Sequence, residues 1–261
     1  MTKVYVRVAH QENVAHAELV GTEAKILSGA PWNGGQPTGA VLTLTGLYDE
    51  RLRTPVDPSK ILCVGRNYAA HAKELGNDLP TEPMIFFKPP SALLSPGGDI
   101  VLPPRDVSEK IEHEAELAVV VGKRLQRASE AEAAEAVFGY AVACDVTARD
   151  LQKKDGQWWR AKGMDTFCPL GPSVVRGVDV SDVRIQCHVN DTLRQDGRTS
   201  NMIFSIPRVL AYVSRVMTIE PGDLVLTGTP EGVGPLTAGD HLVIEIQNVG
   251  RLSVRVAGAM A

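Results

Sequence analysis

The pattern of apolar and polar residues predicts a β-rich α+β protein, with a small β-rich N-terminal subdomain over residues 1–56 and a larger domain over 57–261. Three observations carry this. Stretches that alternate polar and apolar residues, or run through β-branched apolar ones, outnumber stretches with a helical period. The few helical stretches do not alternate regularly with the strands, which argues against doubly wound and barrel α/β folds. Pro55 and Pro58 interrupt the chain between the alternating N-terminal part and the rest.

Residues 3–9 and 13–20 alternate, and the polar break from His10 to Asn13 joins them as a hairpin. A further strand is expected at 22–28. Residues 29–39 hold four Gly and two Pro and read as a loop, before a strand at 40–45. The second segment opens with a short buried strand, Ile61 to Val64. Residues 69–75 are strong helix formers, stopped by Gly76-Asn77. Seven prolines and a Gly-Gly pair make 77–104 mostly loop, long enough to be functional or mobile. Residues 111–121 read as one strand. Ser129 and Glu132 form a capping-box pattern for a helix over 130–138, and Tyr140 to Cys144 reads as a buried strand ending at Asp145. Residues 183–189 alternate as a strand before an Asn190-Asp191 turn. Ser205 and Pro207 start a helix running to Met217. Strands are expected at 223–227, 241–247 and 251–257.

At 261 residues, with 44% hydrophobic and 22% charged, the chain buries a sizeable core. A net charge of −4 and a pI near 5.9, with no long basic run, give no support for a nucleic-acid surface, and no nucleic-acid partner is expected. Cys63, Cys144, Cys168 and Cys187 are widely spaced and read as buried free thiols. The N-terminus alternates where a signal peptide would show an apolar block, and no stretch has the roughly 20 apolar residues of a membrane span. The expected setting is cytoplasmic, with no membrane partner.

The stretch Ile111-Glu-His-Glu-Ala-Glu-Leu117 carries the densest chemistry. In a strand, Glu112, Glu114 and Glu116 share a face and His113 points away. Acids so close repel unless neutralised, and a bound cation is the simplest neutraliser. Asp145, where a neighbouring strand ends, is well placed as a further ligand. A set of carboxylates favours a hard ion, Mg²⁺ or Mn²⁺, with Ca²⁺ as a third candidate. The competing reading is a solvated acidic edge. A zinc HExxH site is excluded because position 117 is Leu.

His71 and Glu74, three apart on a helix, can pair as an oriented general base. A solvated helix face is the alternative, and the adjoining lid-like loop favours the catalytic reading. Arg149 offers a fork for a carboxylate and Lys162 a point charge, so cations near an acidic metal strand imply an anionic substrate. Gly228 to Gly234 is a Gly-rich turn in which Thr229 presents a hydroxyl and nearby amides. It matches neither nucleotide-binding pattern.

Several motifs in order resemble the fumarylacetoacetate hydrolase family, in particular its short acylpyruvase and oxaloacetate decarboxylase-like branch. They are Val64-Gly-Arg-Asn-Tyr-Ala-Ala-His71, His113-Glu-Ala-Glu-Leu-Ala-Val-Val-Val-Gly122, Gly139 to Asp150, Gln195 to Pro207 and Pro221 to Gly234. The resemblance implies a mixed β-roll in a homodimer. It implies that Glu114, Glu116 and Asp145 bind Mg²⁺ or Mn²⁺, with Glu112 a bystander. A His71–Glu74 dyad would sit on a lid and Lys162 near the reacting carbonyl, with Arg149, Gln152, Thr229, Arg66 and Tyr68 facing substrate. Longer members place another carboxylate ligand before the His. Here that stretch is Arg66-Asn67-Tyr68, so three protein ligands are expected.

The implied substrate is a small anionic 2-oxo acid. The expected reaction is C–C cleavage through an enolate stabilised by the ion, as acylpyruvate or fumarylpyruvate hydrolysis or oxaloacetate decarboxylation. The alternative is an isomerase or decarboxylase acting on 2-hydroxyhepta-2,4-diene-1,7-dioate in aromatic catabolism. A third reading is a non-catalytic member that binds metal or ligand.

Overall fold

A computed structural model describes residues 2–76 and 78–259, and it is β-rich. Among these residues an eleven-stranded mixed sheet dominates. From one edge it runs Pro37–Thr43, Glu23–Leu27, Asn13–Val20, Lys3–His10, Val174–Arg176, Val137–Cys144, Ala115–Val121, Leu224–Leu226, Ile61–Gly65 and Met84–Lys88. Leu52–Arg53 pairs beside Lys3–His10. A five-stranded sheet of Thr192–Arg198, Arg184–Val189, His241–Ile246, Gly250–Ala257 and Asp99–Val101 packs against it. Between the two sheets, Ile185, Ile244 and Leu252 meet Leu117, Val142 and Cys144 in one apolar cluster. Farther along the same face Val209, Leu210 and Val213 of helix Ile206–Ser214 cover Val119, Val121 and Val225, while Ala118, Val120, Ala141 and Ala143 pack on the opposite face.

The main sheet collects the site at one end. Ile61–Gly65 and Leu224–Leu226 are parallel neighbours, so both release their following loops, at Arg66 and at Thr227 to Thr229, on the same side. Ala115–Val121 runs antiparallel to Leu224–Leu226 and therefore starts there, with Glu114 just before it. Val137–Cys144 is antiparallel again and ends there at Asp145. Asp145 donates its N–H to the Glu114 carbonyl at 2.8 Å, so the two acids sit opposite each other across the strand pair.

Several expectations need correction. Residues 111–121 are not one strand. Ile111–His113 pairs with Thr147–Ala148 and Gly234–Pro235 in a small separate sheet, and the main-sheet strand starts only at Ala115. Two sheets claim the two halves, and Glu114 sits in the break. The 77–104 stretch is less irregular than its prolines suggest. Met84–Lys88 pairs antiparallel with Ile61–Gly65, and Asp99–Val101 joins the five-stranded sheet. The prolines lie between these short strands, where they cost no ladder bonds. Helix Glu130–Glu135 has the full Ser129/Glu132 capping box but stops before 138, because Val137 already belongs to the sheet. The later helix ends at Ser214 with Arg215 as its cap, short of Met217.

The hairpin at 3–20 forms as the alternation requires. Asn190 and Asp191 both take positive φ in the tight turn before Thr192. All four cysteines are buried and free. No helix among the described residues is long and apolar enough to cross a membrane.

Candidate active site

A cavity of about 320 Å³ opens at this end of the sheet. Its wall includes Arg66, His71, Glu114, Glu116, Arg149, Gln152, Lys162 and Thr229. Eight side chains proposed from sequence are thus brought together from positions 66 to 229.

The floor is a buried charge cluster. Lys162 Nζ donates to Glu114 Oε2 at 2.8 Å and to Asp145 Oδ2 at 2.6 Å. Arg149 donates from Nε to Glu112 Oε2 at 2.7 Å, from a terminal nitrogen to Glu114 Oε1 at 2.5 Å, and from the other to Gln152. Burial alone would push the Glu114 carboxyl up, but Lys162 and Arg149 together hold it below the usual carboxylate range. Burial likewise works against the charge on Arg149 and Lys162, and their acidic neighbours more than restore it.

Glu116 differs. It is 2% exposed and accepts one backbone N–H, from Gly228 at 2.6 Å, and among the described residues no cation pairs with it. Burial, then the charges of Asp145 and Glu114, push its pKa well above the usual range. The buried cluster therefore holds four carboxylates (Glu112, Glu114, Glu116, Asp145) and three cations (Lys88, Arg149, Lys162). Ligand atoms of Glu114, Glu116 and Asp145 lie within 4.8 Å of one another. Oxygen-only donors, a buried carboxyl with no cationic partner among the described residues and this spacing fit a hard divalent cation.

His71 and Glu74 sit on helix Ala69–Glu74, one turn after the strand end at Gly65. His71 Nδ1 lies 3.1 Å from Glu74 Oε2, which leaves Nε2 for the cavity that His71 lines. Glu74 stands behind the ring, outside the wall. Its other oxygen accepts the Gly232 N–H at 3.0 Å and ties the helix to the Gly-rich loop. That loop needs its glycines. A Cβ on Gly232, at φ +93°, would stand 2.1 Å from the Arg194 carbonyl oxygen, and one on Gly228, at φ +95°, 2.8 Å from Asn67 Cβ.

Three expectations change. Glu112 lies outside the three-acid group but is no bystander, since it pairs with Arg149 and, at 3.2 Å, with Lys110. Tyr68 is not on the cavity wall. It is 1% exposed in the core between the sheets, and burial pushes its phenol up. Thr229 donates its hydroxyl to the Ala115 carbonyl at 2.8 Å and accepts from Gln195 Nε2 at 2.7 Å. Its hydroxyl proton is already committed, so only a lone pair and the backbone face a ligand.

Two residues escaped the sequence reading. Lys88 Nζ lies 2.7 Å from Asp145 Oδ1 and donates to the carbonyls of Val146, Phe167 and Lys162. Its signal was faint: a lysine closing an apolar run inside a proline-rich stretch. Gln195, fully buried, accepts from Ala115 N at 3.0 Å, meets His113 Nδ1 at 3.0 Å and donates to Thr229 and Pro230. It thus spans the break around Glu114 and anchors the Thr229 loop. Burial lowers the His113 pKa, which favours the neutral ring. Neutral imidazole donates from Nδ1 to Gln195.

The fumarylacetoacetate (FAA) hydrolase C-terminal family matches residues 60–257, and an Rv2993c-like N-terminal family matches residues 5–47. Protein Rv2993c of Mycobacterium tuberculosis is 40% identical over 254 residues, covering 95% of this chain and 95% of that protein. Oxaloacetate tautomerase YisK of Bacillus subtilis is 42% identical over 224 residues, 80% of this chain and 74% of that one. The crystal structure of 5-carboxymethyl-2-hydroxymuconate delta-isomerase from Mycobacterium smegmatis superposes with a TM-score of 0.89 at 42% identity, covering 99% of this chain and 100% of the other. The chain belongs to the fumarylacetoacetate hydrolase family, whose members are enzymes that typically bind a divalent metal.

Proposed function

We propose that this member of the family interconverts keto and enol forms of a 2-oxo acid of the oxaloacetate type, using Mg²⁺ or Mn²⁺ held by Glu114, Glu116 and Asp145. The observation that carries the reading is a surplus buried carboxylate, Glu116, in the same cavity as an oriented imidazole. When bound, the ion supplies a Lewis acid that draws electron density from the 2-oxo and carboxylate oxygens and favours enolisation.

The chain's own residues do the rest. Lys162, held between Glu114 and Asp145, sets a fixed positive charge beside the oxygen that becomes negative. His71 takes the C3 proton at Nε2 and hands it to the 2-oxo oxygen, so that C3–H breaks as the enol O–H forms, and the reverse path restores the keto form; Glu74 at Nδ1 fixes the tautomer and stabilises the charged ring between the two transfers. Arg149 and Gln152, locked to each other, orient the substrate, and the Glu112 pairing keeps the guanidinium in place. The names of the tautomerase and isomerase relatives support this reading, since both reactions move a proton on carbon.

The same dyad supports a second reading, hydrolysis of an acylpyruvate, in which His71 Nε2 draws the proton from a water that attacks C4. Decarboxylation of oxaloacetate needs no such water.

Oxaloacetate, acetylpyruvate and fumarylpyruvate assayed side by side decide among these. The enol absorbance of oxaloacetate should relax faster with the protein, stop with EDTA and return with Mg²⁺ or Mn²⁺. Cleavage of the two acylpyruvates without oxaloacetate tautomerisation would favour the hydrolase. No turnover of any substrate with metal present would overturn both and leave a non-catalytic binding protein.

A further inference from the structure

We propose that Lys88 is a positioning residue of the acid cluster: a locked ammonium that competes with a divalent ion for Asp145 and so sets how tightly the cluster holds one. The inference rests on the metal reading above and adds to it a residue that does not line the cavity.

Lys88 closes strand Met84–Lys88 and is 1% exposed. Positions 86 and 88 share a face of that strand. Phe86 lines the cavity, and Lys88 reaches the Asp145 carboxylate. Its Nζ donates to the backbone carbonyls of Val146 at 3.1 Å, of Phe167 at 2.8 Å and of Lys162. An ammonium has three protons, and three carbonyls take them. Asp145 Oδ1 lies 2.7 Å from the same nitrogen, yet it has no hydrogen bond of its own among the described residues. Lys88 thus lends this oxygen its charge without a proton. A buried carboxylate oxygen without a donor keeps its lone pairs open, which suits a ligand of a hard ion.

The two lysines on Asp145 differ in freedom. Among the described residues, Lys162 Nζ donates to the Glu114 and Asp145 carboxylates alone. Lys162 also lines the cavity, so its side chain has room to give way when another cation reaches those acids. Lys88 has none. The carbonyls that hold it belong to three stretches of backbone: just after Asp145, at the end of helix Trp159–Lys162, and just before Cys168–Pro169.

Any cation on Asp145 therefore shares that carboxylate with a fixed positive charge in a buried, low-dielectric place. Lys88 and the ion stabilise the same group, so each weakens the other's hold on it. Lys88 keeps Asp145 in place without an ion and loosens the grip on one that binds.

The test is a calorimetric Mn²⁺ titration of the native chain, Lys88→Gln and Lys88→Arg, with thermal midpoints taken before metal is added. Gln keeps donors for the carbonyls and removes the charge; Arg keeps the charge. We expect Lys88→Gln to bind Mn²⁺ about tenfold more tightly while its metal-free midpoint falls, and Lys88→Arg to stay within about twofold of the native affinity. A lysine that only braces the fold gives the opposite sign, a lower midpoint with weaker binding. Weaker or unchanged affinity in Lys88→Gln overturns the proposal, as does an equal gain in Lys88→Arg. If Lys88→Gln folds only with metal present, release of Mn²⁺ from the loaded protein to excess chelator decides: slower release than from the native chain supports the proposal, and equal or faster release overturns it. A native chain that binds no Mn²⁺ removes the three-acid metal site and this proposal together. Native binding with no gain in the variant removes this proposal alone.

Discussion

The chain buries a carboxylate in each of two regions, and their surroundings could hardly differ more. Asp49, beside the N-terminal strands, is 5% exposed. Arg51 grips it with Nε at 2.7 Å and a terminal nitrogen at 2.6 Å, and Thr45 and the Arg51 backbone donate three more bonds. The Arg51 hydrogen bonds hold its pKa well below the carboxylate range. Glu116, at the other region, has one backbone donor, no cation and two acids for company. A buried charge with its partner is part of the architecture; one without a partner marks where something else binds.

The sharpest way to break this contrast is to neutralise each acid without changing its shape. Glu116→Gln leaves the cluster with three carboxylates and three cations. We expect Mn²⁺ affinity in a titration to fall by about 10³-fold, roughly 4 kcal/mol. The thermal midpoint of the metal-free protein should stay the same or rise. Asp49→Asn should do the reverse, lowering the midpoint and leaving Mn²⁺ binding untouched. If both lower the midpoint of the metal-free protein alike, the distinction between the two acids fails.

Next in size, His71→Ala should cut the turnover number by about 10²- to 10³-fold while Mn²⁺ affinity holds. A full-rate enzyme with that change would remove the dyad from the chemistry. Leu52→Ala tests the N-terminal region from its apolar side. Leu52 is 2% exposed in a cluster with Val6, Val8 and Ile26. Its truncation should cost about 2–3 kcal/mol in denaturant unfolding, without effect on the metal titration.

The smallest effect is a pH dependence. Burial, aided by the charge of Arg7, lowers the His16 pKa from 6.5 to about 4, and the ring packs on Trp32. Between those values the unfolded chain binds the proton and the folded one does not. His16 therefore costs stability as pH falls from 6.5 towards 4, by at most about 1.4 kcal/mol per pH unit. His16→Gln should flatten that part of the unfolding profile; an unchanged slope would show that His16 is not its source.

The sequence disclosed much of the site because its chemistry is carried by residue types in short motifs. Glu114 and Glu116 stood out as paired acids, His71 and Glu74 as a helical pair, Arg149 and Lys162 as cations in an otherwise acidic neighbourhood. Lys88 and Gln195 did not stand out. Lys88 looks like the end of an apolar run, and only the fold carries it to Asp145, 57 positions away. Gln195 lies in a polar strand, and its role depends on facing the break between His113 and Ala115. Tyr68 erred in the opposite direction: a residue beside the dyad in sequence is turned by the start of its helix into the core.

By itself, then, the sequence determined the strands that alternate, the capped helices, the Asn190-Asp191 turn and the kinds of group that meet at the site. Those features depend on neighbours a few positions away, where period, capping and turn chemistry act. The tertiary structure decided that 111–121 breaks at Glu114, because two different sheets compete for its two halves. It also decided the charge balance. Four buried carboxylates and three buried cations come from positions 88 to 162, and only their packing into one low-dielectric space leaves Glu116 as the acid without a cationic partner among the described residues.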